Sequence, residues 1–231
     1  MKAKTGTRTG QDVTIDTGDV SLPGILTGFE SAHGIVVFAH GSGSSRFSPR
    51  NREVATFLNE KGLATLLFDL LTEKENETDQ FTREYRFDIA RLARRLEGAV
   101  TWLRGQPDLS AMKVGLFGAS TGAAAALITA ASLPGDIDAV VSRGGRPDLA
   151  GDALDHVVAP VLLIVGGLDG EVIRLNEQAA GRLHGEHHLA IVPGATHLFE
   201  EPGKLEEVCR LAGYWFQRYL GTESVDSANH G

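Results

Sequence analysis

The sequence holds a single cysteine among 231 residues, with two methionines and two tryptophans. A lone thiol, Cys209, has no partner for an internal disulfide, so a disulfide-stapled scaffold is excluded and a reducing, cytoplasmic setting is expected. Positive charge is also short: 22 Lys and Arg against 30 Asp and Glu leave a net charge of −8. That sign argues against a nucleic-acid partner, which needs clustered basic side chains. No apolar run approaches the roughly 20 residues of a membrane span, and none follows Met1–Gly10 as a secretory leader would. No membrane partner is expected. The remaining composition, 42% hydrophobic, suffices for one large core. Residues 1–10 read as a flexible N-terminus, 11–220 as one domain, and the polar stretch 221–231 as a disordered tail. Nothing in the composition sets an oligomeric state.

Short apolar runs alternate with longer amphipathic segments, the pattern of a mostly parallel sheet wrapped by helices. Residues 13–15 and 20–26, around Thr17-Gly18-Asp19, predict an antiparallel hairpin. Buried strands are expected at 35–39, 64–68, 114–117, 137–142, 161–165 and 188–192. Ser48-Pro49 supplies a cap and a first-turn proline for a helix to about Lys61. Residues 71–81 are polar and acidic and read as a loop. Ile89, Ala93, Leu96, Val100 and Leu103 then repeat at helical steps, with Arg91, Arg94, Arg95 and Glu97 expected to face solvent. Further helices are expected at 123–131, 171–183 and 204–220, with a short one near 148–154. Too few residues separate Ser142 from Val161 for an inserted cap domain, so an open site is expected.

Gly118-Ala119-Ser120-Thr121-Gly122 matches Gly-x-Ser-x-Gly between a strand and an alanine-rich helix, the setting in which a sharp elbow exposes a serine hydroxyl. Serine needs a base to take its proton. His197, in the loop after the last strand, is placed to do so, and Asp169, in the glycine-rich loop after the run at 161–165, is placed to orient it. The order Ser120, Asp169, His197 is that of the α/β-hydrolases. The N–H of Thr121 and that of Ser42, in His40-Gly41-Ser42-Gly43-Ser44, are the expected oxyanion donors, with Gly41 as the neighbouring choice for the second. Asp69 also ends a strand but falls outside the usual triad order and is read as structural.

These motifs resemble the dienelactone hydrolase family of α/β-hydrolases: His-Gly-x-Gly after an early strand, Gly-x-Ser-x-Gly in the middle, Gly-x-x-Asp, then Gly-x-x-His, over roughly residues 11–220. The resemblance implies the α/β-hydrolase fold without a cap, a nucleophile–histidine–aspartate triad, no metal and no cofactor, and a small ester or lactone substrate. Dienelactone hydrolases proper carry cysteine at the elbow. Ser120 therefore aligns the chain with a serine-bearing, esterase-like branch.

Arg143 directly follows a predicted strand at the carboxyl edge, where ligands bind in open α/β sheets. It is a candidate to bind a substrate carboxylate, against a plain ion pair with Asp136, Asp148 or Glu84. His184, Glu186, His187 and His188 lack zinc-protease spacing and read as a solvated segment. Cys209, next to Val208 in the last helix, reads as core. Two rival functions remain open: acyl transfer or perhydrolysis through the same triad, and a non-catalytic ligand-binding protein of this fold.

Overall fold

A computed structural model describes residues 10–221, and the expectations for residues 1–9 and 222–231 lie outside it. Among the described residues, β1 (Gln11–Asp16) and β2 (Ser21–Thr27) form an antiparallel hairpin. β3 (Gly34–Ala39), β4 (Ala64–Phe68), β5 (Lys113–Ala119), β6 (Ala139–Arg143), β7 (Val161–Gly166) and β8 (His187–Val192) run parallel. The sheet order is β1-β2-β4-β3-β5-β6-β7-β8. β2 joins the parallel part by pairing antiparallel with β4.

Period-two side-chain direction divides each central strand between two cores. Ile35 and Val37 of β3 pack with Leu66, Leu116 and Val140 on one face, where α3 (Ile89–Arg104) and α4 (Thr121–Ser132) lie. Val36 and Phe38 pack on the other with Phe117, Val141 and Ile164, beneath α1 (Pro49–Glu60) and α6 (Lys204–Leu220). Burying side chains of this size contributes about 1.5–3 kcal/mol each, so the two cores set the sheet register. The Ser48 hydroxyl caps α1 by accepting the Asn51 N–H at 3.4 Å. Between β6 and β7 the chain makes only a 3-10 segment, Pro147–His156, and α5 (Gly170–Ala180) follows β7. No cap domain intervenes there.

Three expectations change. Residues 71–81 are not a loop: Glu73–Thr82 is a helix, α2. It has no apolar stripe, and of its residues Asp79 alone is buried. Its start is a capping box, with the Thr72 hydroxyl accepting the Glu75 N–H at 3.2 Å and the Glu75 carboxylate accepting the Thr72 N–H at 2.8 Å. Arg95 does not face solvent. It is buried, 3% exposed, and its Nη2 lies 3.0 Å from Glu75 and 3.4 Å from Asp19. Finally, β6 runs one residue further than expected, so Arg143 is its last residue rather than the first one past it.

Candidate active site

The candidate site gathers at the carboxyl ends of β3, β5, β7 and β8. β5 turns into α4 at Ser120, whose backbone sits at φ 51° and ψ −121°. A non-glycine residue there is strained by about 1–3 kcal/mol and persists only where its surroundings fix it. Both motif glycines are part of that fixing. A Cβ on Gly118 would lie 2.4 Å from the Ala123 Cα, and one on Gly122 would lie 2.2 Å from the Ala39 carbonyl oxygen. The Ser120 N–H donates to the Arg143 carbonyl at 3.2 Å, and the Ser120 carbonyl accepts the Arg146 N–H at 3.1 Å. The elbow is thereby tied across to the end of β6.

His197 and Asp169 come together as the sequence suggests. His197 Nδ1 lies 2.7 Å from Asp169 Oδ2, an ion-pair distance at which the ring donates through Nδ1 and its Nε2 is left to accept a proton. Asp169 is largely covered while His197 stays partly open to solvent. A Cβ on Gly144 would lie 3.5 Å from His197 Cε1. The imidazole therefore packs over the residue next to Arg143, whose carbonyl holds Ser120.

The two residues expected to supply oxyanion donors are joined through their side chains. The Ser42 and Thr121 hydroxyls are 2.9 Å apart, and the Ser42 hydroxyl is 3.3 Å from the Arg86 carbonyl. Thr121 is the first residue of α4, so its N–H has no acceptor within the helix. Gly41 backs onto the elbow: a Cβ there would lie 3.1 Å from Ser120 Cβ. A cavity of about 280 Å³ opens on the far side of the 40–46 loop, lined among others by Ser42, Arg46, Asp69, Leu71, Arg86 and Leu92. Neither Ser120 nor His197 lines it.

Arg143 is placed differently from the other candidates. As a strand residue it points to the α1 face, where it is buried and its Nη2 donates to Asn51 Oδ1 at 3.3 Å. Burial and the neighbouring Arg50 charge bring its pKa down to about 10. It pairs with none of Asp136, Asp148 or Glu84; Arg104 takes Asp136 and Arg146 takes Asp148. Asp69 binds the Arg46 guanidinium and accepts the Arg46 N–H at 2.7 Å. Cys209 is buried, and burial, with Glu53 and Glu206 nearby, pushes its thiol up to about 12.

Sequence reasoning missed two residues. Arg86 borders the cavity, its Nε 2.5 Å from Asp79 and its Nη1 beside Gly43; with α2 read as a loop, nothing marked a residue four positions past its end. His40 is buried at the start of the loop that follows β3, and only its place before Gly41 could have drawn attention to it. Among the described residues no group of His, Cys, Asp and Glu is gathered to hold a metal, and no helix is long and apolar enough to cross a membrane.

Residues 23–219 match the model of the Dienelactone hydrolase family. A crystal structure of dienelactone hydrolase from Anabaena variabilis is 56% identical, with a TM-score of 0.91, over 93% of this chain and all of that one. A dienelactone hydrolase-like promiscuous phosphotriesterase from metagenomic libraries shares the fold at 21% identity, with a TM-score of 0.75, over 94% of this chain and all of that one. A Mycobacterium tuberculosis protein, named provisionally as a phosphoribosyl transferase, is 56% identical over 210 residues, 91% of this chain. The chain spans 46%, about half, of the length of the curated relatives it matches.

Proposed function

The chain belongs to the dienelactone hydrolase family, and from that premise we propose that it is a serine hydrolase cleaving small carboxylic esters or lactones through an acyl-enzyme. The observation that carries this reading is a histidine whose Nδ1 is engaged by Asp169 at 2.7 Å, at the same carboxyl end of the sheet as the strained Ser120 elbow. In this reading His197 Nε2 takes the Ser120 proton as Oγ attacks the substrate carbonyl, and the Ser42 and Thr121 N–H groups receive the oxyanion. The imidazolium then protonates the departing alcohol, and the acyl-enzyme forms. Water, deprotonated by the same imidazole, attacks the ester and releases the acid with Ser120 restored.

The absent cap supports short acyl groups, because each methylene adds about 0.8 kcal/mol only if it leaves water. Arg143 enters this reading as a strut behind the elbow, through the carbonyl that holds the Ser120 N–H, and not as the reader of a substrate carboxylate. A cytoplasmic setting remains part of the proposal and rests on the lone buried cysteine. The phosphoribosyl transferase name attaches to a protein about twice as long, and the part of it that this chain matches is the hydrolase-fold part.

The test is a panel of esters and lactones of increasing acyl length, run with wild type, Ser120→Ala and Asp169→Asn, beside fluorophosphonate labelling. Short esters should turn over fastest, and the label should map to Ser120. Ser120→Ala should lose on the order of 10⁴- to 10⁶-fold in kcat, and Asp169→Asn about 10⁴-fold. More than a tenth of wild-type activity in Ser120→Ala would remove that residue from the reaction.

A further inference from the structure

His40 directly follows β3 and is almost fully buried, at 7% exposure. Its two ring nitrogens face different partners. The Leu70 N–H points at Nε2 from 3.0 Å. An amide N–H can only donate, so Nε2 carries a lone pair and the ring proton sits on Nδ1. Nδ1 lies 3.0 Å from the Gly41 carbonyl oxygen and donates to it. A second donor, the Ser44 N–H, reaches the same carbonyl at 3.2 Å.

That carbonyl shares one peptide unit with the Ser42 N–H. No peptide bond among the described residues is cis, and in a trans unit the C=O and the following N–H point in opposite directions within one plane. Fixing the oxygen from one side with two donors therefore fixes where the Ser42 N–H aims on the other. The unit lies against the nucleophile, since a Cβ on Gly41 would come within 3.1 Å of Ser120 Cβ. The far end of the same loop is pinned from the same place: the Arg46 N–H donates to Asp69, the residue before Leu70, at 2.7 Å. Asp69 in turn donates its own N–H to the Pro23 carbonyl of β2 at 3.1 Å. Consecutive residues at the end of β4 thus hold both ends of the loop.

We propose that His40 is a positioning residue: locked by the Leu70 N–H as the neutral Nδ1–H tautomer, it grips the Gly41 carbonyl and so aims the Ser42 N–H at the developing oxyanion. This rests on the hydrolase reading above. The lock also keeps a second imidazole near the site out of proton transfer, because both of its nitrogens are occupied. Burial holds its pKa below the ordinary histidine value, against the nearby Asp69 charge and the Gly41 contact, which act the other way. A protonated ring would set a second N–H against that of Leu70.

Two substitutions separate the two bonds. In His40→Asn the side-chain amide nitrogen falls near the Nδ1 position and can donate to Gly41, without reaching Leu70. In His40→Gln the amide oxygen reaches Leu70 and the Gly41 donor is lost. With a short ester, His40→Gln should lower kcat about 10- to 100-fold, short of the 10²–10³ that deleting a whole oxyanion donor costs. KM should move less than about twofold, and His40→Asn should stay within about threefold of wild-type kcat. Inhibition by a boronic acid that mimics the tetrahedral state should weaken in His40→Gln in parallel with kcat. Equal losses in the two variants, or a change in KM alone, would overturn the assignment. Should His40→Gln not fold, the nitrogen-15 shifts of His40 in the wild-type protein decide: Nε2 protonated, or both nitrogens protonated, near pH 7 sinks the proposal. A wild type inert toward the whole ester panel would instead defeat the hydrolase reading itself.

Discussion

The Ser42 and Thr121 hydroxyls lie 2.9 Å apart, joining the loop after β3 to the first residue of α4. The residues whose N–H groups are proposed to receive the oxyanion are thus linked by their side chains. A net hydrogen bond contributes about 0.5–1.5 kcal/mol. Ser42→Ala and Thr121→Val should therefore each lower kcat about two- to tenfold on a short ester. Because they break the same bond, the double variant should be little worse than either single one. Fully additive losses would mean that the hydroxyls act separately.

The strained elbow makes a prediction about stability that is independent of chemistry. With φ at 51°, glycine fits position 120 better than any residue with a Cβ. Ser120→Gly and Ser120→Ala should both be inactive, yet the glycine variant should be more stable by about 1 kcal/mol, within the range expected for relieved backbone strain. Urea unfolding of the pair checks this. Equal midpoints would mean that the elbow is not strained.

Cys209 should show itself in alkali. Its folded thiol titrates at about 12 against an ordinary 9.0. Above pH 9 the unfolded chain loses this proton while the folded one keeps it, so the thiol's contribution to stability is intact below pH 9 and declines as pH rises toward 12. The slope approaches about 1.4 kcal/mol per pH unit. Cys209→Ala should lack this component, so its unfolding free energy should fall less steeply than wild type between pH 9 and 10.5. Parallel profiles would place the thiol in contact with solvent. The same variant should retain wild-type kcat.

Helix α2 should depend on its caps and ion pairs. Glu75 accepts the Thr72 N–H, and its carboxylate lies 2.7 Å from Arg91 and 3.0 Å from Arg95. Thr72→Ala should cost the helix about 1 kcal/mol. Glu75→Ala should cost more, because it also leaves the buried Arg95 short of a partner. Hydrogen exchange across residues 73–82 should accelerate in the order Glu75→Ala, Thr72→Ala, then the exposed control Lys74→Ala. Equal protection in all three would mean that apolar packing holds the helix.

What was legible in the sequence was what local rules govern. The Ser48-Pro49 start of α1, the apolar stripe of α6 over residues 204–220 and the elbow motif all describe themselves within a few residues, and each appears where expected. α2 was illegible to a hydrophobic periodicity because it has none; its signal was Thr72 with Glu75 three residues on. Arg95 misled for the opposite reason. It lies among arginines on a helix, and only the distant Glu75 and Asp19 make its burial tolerable. Arg143 turned on one residue of strand length, which sent its side chain to the α1 face.

Ser120, Asp169 and His197 follow β5, β7 and β8, and no two of those loops are adjacent in sequence. A ribosome making this chain therefore produces the elbow long before the histidine, and a partly made chain has a serine with no base. With His197 as the proposed base, catalysis requires the last strand to have docked at the sheet edge, so loss of β8 alone should silence a protein whose centre is still folded. Activity is in that sense a gauge of the edge strand, and during gentle denaturation it should vanish before the signal of the central strands does.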